Sequence, residues 1–469
     1  MFDPSRLALT YLLIEWVIRL VMIVVLPLRR SPEAARSWLL LVLFLPVPGL
    51  ILYRFIGRAR FPAWRQTRFA DDLPYRMNVA EGLAAIGETG PDRAGAIAPL
   101  AGTLGGFPAC GGNRADLLTD YDATIAAMAS AIDSALRCVH LQTYIFADDR
   151  TGRFITEALA RAHARGVAVH VLVDALGSRP WAKRSMAMLD RAGVSARLVL
   201  PVRFASLRRA RTDLRNHRKL CAIDGRIAFV GSQNIVNRDF KPSIVNDELV
   251  ARVEGPVVAA FDAMFASDWY LETGERIASE RIPAPAGTTV LQAMPSGPDF
   301  GTAGYERLLV ELVHEARHEV TIVSPYLIPD DALLTAVRNA VARSVAVNLI
   351  VSHVVDQKLV RLAQRSYYQE LLEAGVRIYR YRSHLLHTKA VAIDGMVGIV
   401  GSSNADMRSF ALNAEISLIL HGEDAVAPLL DVLNGYIAQS DRLPLSAWRL
   451  RPRPMRVLEN LARLVSPLL

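Results

Sequence analysis

At 469 residues, with 52% apolar and 21% charged side chains, the chain is too long for a single ordinary core and too apolar for general disorder. The formal charge of +8 suits a polyanionic partner, nucleic acid or anionic membrane, without choosing between them. Three cysteines, Cys110, Cys138 and Cys221, at no ligand-like spacing exclude a disulfide framework and a zinc site.

Two apolar stretches open the chain. The first, Leu7 to Leu28, has the length of a bilayer span but contains Glu15 and Arg19, four apart and able to pair on one helix face. The second, Trp38 to Tyr53, carries no charge and contains Pro46, Pro48 and Gly49. It is therefore expected to span imperfectly or to re-enter. No basic segment precedes the first stretch and no small-residue cleavage site ends it, which argues against a signal peptide. The expectation is a two-helix membrane hairpin over residues 1–60. Arginines 54, 58, 60, 65 and 68 crowd its exit, against 29, 30 and 36 in its loop. That bias favours a cytoplasmic body with both hairpin ends inside.

Residues 61–118 are rich in Gly, Ala and Pro and read as a linker packing on the first of two lobes. From about 119, helical stretches alternate with short β-branched runs: Tyr121–Arg137, Val139–Phe146, Gly152–Arg165, Val167–Val173, Trp181–Ala192 and Ala196–Pro201. This is the pattern of an α/β lobe. It recurs later, with Glu319–Leu327 matching the run that contains Tyr144 and Ala374-Gly375-Val376 matching Ala192-Gly193-Val194 at an offset of 182. Two tandem lobes, 119–280 and 281–469, are the simplest account. Their boundary is expected near 275–290, at Pro283 and Pro285.

The strongest signal is a repeated motif. HRKLCAIDGRIAFVGSQN runs from His217 to Asn234, and HTKAVAIDGMVGIVGSSN from His387 to Asn404. Each has His, Lys two later, Asp seven later, Gly-Ser, then Asn. Their offset is 170, so the first lobe carries about 12 extra residues before its motif, among them Arg203, Arg208, Arg209, Arg211 and Arg215. In an extended chain residues i and i+2 share a face, so His217 points with Lys219 and His387 with Lys389. Asp224-Gly225 and Asp394-Gly395 read as hairpin turns, which bring Ser232 and Asn234, and Ser402 and Asn404, back toward the His-Lys end. A neutral histidine is a nucleophile, a protonated one an acid, and Lys and Asn donors stabilise the oxygens of a five-coordinate phosphorus. Such a set needs no metal and no cofactor. Glu248 and Glu415 follow their motifs by 31 and 28 residues; each is either an imidazole partner or an exposed strand-end acid.

These residues resemble the phospholipase D superfamily, defined by a duplicated His-x-Lys-x4-Asp. VHLQTYIFADDRTG (139–152), SGPD (296–299), SPYLIPD (324–330), GSSNADMRSFALNAE (401–415) and ENLARLVSPLL (459–469) resemble bacterial cardiolipin synthases, as does SPEAARSWLLLVLFLPVPGLILY (31–53). The resemblance implies one site between two lobes, with His217, Lys219 and Asp224 in one half and His387, Lys389 and Asp394 in the other. It implies His217 as nucleophile, His387 as acid and then base, and no cofactor. It also implies phosphatidylglycerol and anionic membrane lipids as partners, not nucleic acid, and a place in the bacterial inner membrane. The stretch NRDFKPSIVNDE (237–248) departs from the best-known members, with Glu248 in place of their acid. Hydrolysis of the same bond, or another alcohol acceptor, remains an alternative.

Overall fold

The computed structural model describes residues 4–29, 32–57, 61–87, 95, 97–201, 213–277, 282–301 and 304–464. The chain divides into two compact units, Met1–Arg60 with Arg211–Asp213, and Phe61–Ala210 with Leu214–Leu469.

In the smaller unit the first apolar stretch is one helix, Pro4–Arg29, whose residues Ala8–Arg29 are long and apolar enough to cross a bilayer. Its Leu9, Leu13, Val17, Leu20 and Val24 are exposed. The second stretch is two helices, Pro32–Phe44 and Pro46–Ile56. Proline at 46 disfavours the helical conformation at Leu45, which turns out to φ −131° and ψ 73°. The chain reverses there. The rings of Trp38 and Tyr53 meet edge to face at 5.2 Å, whereas one straight helix would hold them ~22 Å apart. Gly49 permits the close approach, since a Cβ there would lie 3.1 Å from the Cα of Val42. Arg19 pairs with Glu15 at 3.2 Å and donates to the Leu43 carbonyl at 3.1 Å. That carbonyl belongs to the last turn of its helix, where no intrahelical donor is available.

The larger unit is built on one large sheet. Its first half supplies β1 (Cys110–Leu118), β2 (Cys138–Thr143), β3 (Ala168–Asp174), β4 (Ser195–Val199), β5 (Arg215–Asn216), β6 (Leu220–Ile223), β7 (Ile227–Gly231), β8 (Asn246–Asp247) and β9 (Val250–Glu254). The second half supplies β10 (Thr289–Ser296), β11 (Glu319–Val323), β12 (Ala346–Ser352), β13 (Arg377–Tyr381), β14 (Leu385–Leu386), β15 (Ala390–Ile393), β16 (Val397–Gly401), β17 (Asn413–His421) and β18 (Ser440–Arg442). β8 and β14 form a small two-stranded sheet of their own. The spatial order in the large sheet is β4-β3-β2-β6-β7-β9-β1-β10-β17-β16-β15-β11-β12-β13-β18. Apart from the edge strand β18, this order is the same pattern read from either end, with the antiparallel β1–β10 pair at its centre. In each half three strands run parallel, joined by helices, as the alternating pattern predicts. Asp120, Asp149 and Asp330 start helices by accepting from the N–H groups of Ala123, Gly152 and Leu333.

Two apolar cores flank the sheet, one around Ile132, Leu141, Ile155 and Val171, the other around Leu309, Ile322, Val337 and Leu349. The halves meet in sequence between the helix Val258–Thr273, ended by Gly274 at φ 82°, and β10. Residues 61–118 differ from the expected linker. They form the helices Ala63–Asp71, Leu73–Ile86 and Ile97–Gly105 and the central strand β1. Ile97 and Ala101 join the core of the second half. Small residues obscure this in the sequence but permit it in space: a Cβ on Gly105 would meet the Met294 sulfur at 2.8 Å.

Candidate active site

Each histidine stands at the end of a short strand that pairs with the opposite half. β5 runs parallel to the start of β17, and the His217 N–H donates to the Ala414 carbonyl at 2.8 Å. β14 runs parallel to β8, and the His387 N–H donates to the Asp247 carbonyl at 2.8 Å. The residue after each acceptor is an acid. Glu415 therefore meets Nδ1 of His217 at 2.9 and 3.0 Å, and Glu248 meets Nδ1 of His387 at 2.8 and 2.9 Å. Each acid thus lies within hydrogen-bond distance of the imidazole in the motif of the other half, not at an exposed strand end. With Nδ1–H donated to a carboxylate, Nε2 of each ring keeps its lone pair.

Lys219 and Lys389 lie buried beside their histidines, each ammonium bonded to the carbonyl two residues back, at 2.7 Å to His217 and 2.5 Å to His387. The intervening side chains leave by the opposite face. Arg218 pairs with Asp268 and donates to the Glu415 carbonyl at 3.0 Å, and Thr388 meets the Tyr436 hydroxyl at 3.1 Å.

Burial and mutual contacts shift the ionisable groups of both halves in the same directions. Burial pushes the His217 imidazole down to about 4, against the opposing pull of Glu415 and with help from Lys219 and Lys389. Burial also lowers His387, with Glu248 opposing. The two acids sit below the ordinary carboxylate range: burial works against ionisation, but the paired histidine and lysines outweigh it. Burial lowers Lys219 to about 7 and Lys389 to about 8, partly offset by Glu415 and Glu248. Each lysine acts on the imidazole of the other half, so the two motifs form one electrostatic unit.

Ser232 and Ser402 brace the acids. Ser402 donates to Glu415 and accepts from the Ile416 N–H at 3.0 Å, and Ser232 accepts from the Leu249 N–H at 2.9 Å. Asn234 Oδ1 accepts from the Ile145 N–H at 3.0 Å. The side-chain oxygen of Asn404 is buried with no hydrogen-bond partner among the described residues, which leaves an acceptor open in the second half-site.

Asp224 and Asp394 are not brought to this cluster. Each stands at the far end of a four-residue strand, ~16 Å along the chain from its lysine. They sit in the hairpin turns at φ 54° and 52°, followed by Gly225 and Gly395 at φ 64° and 68°. The Asp224 carboxylate accepts from the N–H groups of Leu136, Arg137 and Cys138 at 2.7–2.9 Å; that of Asp394 accepts from Arg317, His318 and Glu319 at 2.7–2.8 Å. The resemblance groups them with His and Lys, but they staple the hairpin to the loop ahead of β2 or β11. Of the arginines before the first motif, Arg203, Arg208, Arg209 and Arg211 lie outside the described residues. Arg215 is buried against Asp174 at 2.9 Å and is engaged in the protein interior.

Sequence reasoning missed two aromatic neighbours. Tyr144 meets His217 edge to face at 4.8 Å and Tyr326 meets His387 at 6.5 Å. Their numbers differ by 182, the offset of the surrounding repeat, so the signal was available. Asp406 was also missed. It caps the short helix Met407–Ala411, whose Ser409 donates to Glu415 at 3.1 Å.

The family described as "Cardiolipin synthase, PLD-like domain" matches residues 128–269 and 309–436, one segment in each half. The chain belongs to this family. It is similar to the cardiolipin synthase A of Serratia proteamaculans (strain 568), 34% identical over 460 residues and 94% of each chain. It is likewise similar to that of Erwinia tasmaniensis, 34% identical over 464 residues and 94% of each chain. Among solved structures, the phosphatidylserine synthase of Haemophilus influenzae Rd KW20 matches with a TM-score of 0.59 at 13% identity, over 76% of this chain and 95% of that one. That likeness shows the fold: two phospholipase D-like lobes of α/β type.

Raising the pH deprotonates the two lysines, so kcat/KM is expected to fall through about 7 to 8. Lys219→Arg moves that basic limb upward; a profile flat to pH ~9.5 would contradict the assignment. Asp224→Ala strands three backbone donors, so it is expected to cost ~3 kcal/mol or more of stability, read by thermal melting. Its folded fraction keeps turnover within a few-fold; a variant as stable as the parent but inactive would place Asp224 in the chemistry instead.

Proposed function

We propose that this chain joins two phosphatidylglycerol molecules into cardiolipin, releasing glycerol. The crossed imidazole–carboxylate pairs carry this reading, because they present two imidazoles in one site with their Nε2 atoms available. The strongly lowered His217 is neutral at physiological pH and suits the nucleophile. Its Nε2 forms a bond to phosphorus as the bond from phosphorus to the glycerol oxygen breaks. His387 must carry a proton for this step, which burial opposes and Glu248 favours, and it gives that proton to the glycerol oxygen. In the second step the free hydroxyl of another phosphatidylglycerol attacks phosphorus, its proton goes to His387, and the bond to His217 breaks. Lys219, Lys389 and the two asparagines are suited to hold the non-bridging oxygens. Glu415 and Glu248 fix each ring's orientation and stabilise it when it carries positive charge. The family relationship supports the same reaction, since the relatives named above are cardiolipin synthases.

The membrane segment fits lipid substrates. In this reading Ala8–Arg29 crosses the bilayer, while the second apolar stretch enters and leaves by one face. Arg19 lies near the middle of the crossing helix, so its bond to Leu43 sets the tip of the reversing pair at about half depth. Arg29, Arg36 and Arg54 then share one face, which the arginine rule makes cytoplasmic. The lobes follow the chain out on that side of the bacterial inner membrane. The start of the helix Pro4–Arg29 then faces the other side of the membrane.

His217→Asn is expected to abolish formation of cardiolipin from labelled phosphatidylglycerol, followed by mass analysis of the lipids. Phosphatidic acid in place of cardiolipin from the parent enzyme would make it a hydrolase. For the topology, Ser5→Cys is expected to react with an impermeant maleimide in intact spheroplasts and Ala63→Cys only after lysis; the reverse pattern would overturn it.

A further inference from the structure

The C-terminal helix Arg453–Leu464 has its amphipathic faces inverted. Its inward side carries Glu459, fully buried, which takes Arg365 at 2.7 Å and Arg451 at 3.0 Å. Ala462 is buried beside it, and Arg463 covers the ring of Tyr367 at 4.2 Å. Arg365 and Arg451 lie on Trp448 at 4.6 and 4.5 Å. The helix is thus clamped to the helix Lys358–Ala374 by charge and cation–π contacts. Its apolar residues fall on the other side. Val457, Leu458, Leu461 and Leu464, at helical spacing, are 59, 47, 56 and 76% exposed, and Leu450 just ahead is 86% exposed. A surface helix ordinarily turns such a row inward. A contiguous apolar row left in water calls for a cover.

We infer that this helix is a second membrane contact, laying its apolar row on a leaflet rich in anionic lipid. The charges around the row choose the occupant. Residues 445–464 contain five arginines and one acid, Glu459, which is turned inward. Arg449 and Arg453 are exposed at the start of the row. Anionic headgroups complement that rim, whereas a second copy of the helix would bring arginines against arginines. An apolar row with a basic rim, on a chain that also carries a helix long and apolar enough to cross a bilayer, matches an interfacial helix in the plane of the leaflet. The inference concerns how the lobes meet lipid and does not depend on the reaction proposed above.

The test places a fluorescent label at Leu461→Cys or Asn460→Cys in the full chain, reconstituted in phosphatidylcholine vesicles with or without phosphatidylglycerol; the native cysteines are buried. Brominated lipids are expected to quench position 461 several-fold more than 460, and more so with phosphatidylglycerol present. Equal quenching at both sites overturns the inference, as does disulfide cross-linking of 461 between copies. Because the side chains are exposed, Leu458→Glu with Leu461→Glu is expected to leave the melting temperature unchanged. It lowers turnover of vesicle-borne phosphatidylglycerol roughly tenfold and spares a short-chain, monomeric analogue. Equal losses on both substrates overturn the inference. A parent enzyme inactive on both substrates counts against the catalytic reading, and the quenching result still judges the helix.

Discussion

The structure turns on the exchange of acids between its halves. His217 is held by Glu415 and His387 by Glu248, and both carboxylates are buried. A buried carboxylate stripped of its partner is strongly destabilising, so each pair fastens the lobes as well as aiming an imidazole. The backbone repeats the exchange: β5 pairs with β17 and β14 with β8, so the strand delivering each histidine is registered on the strand delivering its acid. A shift of one residue in either short ladder would turn both side chains to the wrong face.

Within that symmetry the halves are electrically unequal. Glu415 receives Ser402, Ser409 and Asn413 in addition to His217, and its carbonyl is held by Arg218. At the position matching Arg218 the second half has Thr388, an uncharged side chain whose hydroxyl meets that of Tyr436. The same backbone thus carries two different microenvironments, although burial lowers the imidazole in both, to about 4 for His217.

The alternation of helices and strands, the repeat, the His-Lys face and the Asp-Gly turns were all legible in the sequence, because each is a local pattern with a fixed period. The acids were half legible. Glu248 and Glu415 could be paired with the motifs by spacing, but their partners stand 139 and 198 residues away, and nothing local says that the pairing crosses. Asp224 and Asp394 misled in the opposite way: closeness in sequence suggested a shared site, yet an extended strand carries a residue steadily away from its neighbours. Residues 61–118 hid their helices behind Gly and Ala, whose small side chains give little periodic contrast and find their role only against Met294 and its neighbours. Pro46 announced an interruption; that the chain doubles back there depended on contacts such as Trp38 with Tyr53.

The central β1–β10 pair has a consequence for descent. It joins the two halves edge to edge, antiparallel, about the middle of an otherwise self-similar sheet. That is the geometry of a two-fold dimer interface, now closed within one polypeptide. Since each half lends its acid to the other, an ancestor encoding one lobe could have built a complete site only by pairing with itself. Fusion of two such copies lets them differ, and Arg218 in one half against Thr388 in the other is a difference that an obligate homodimer, with both half-sites drawn from one sequence, has no means to encode.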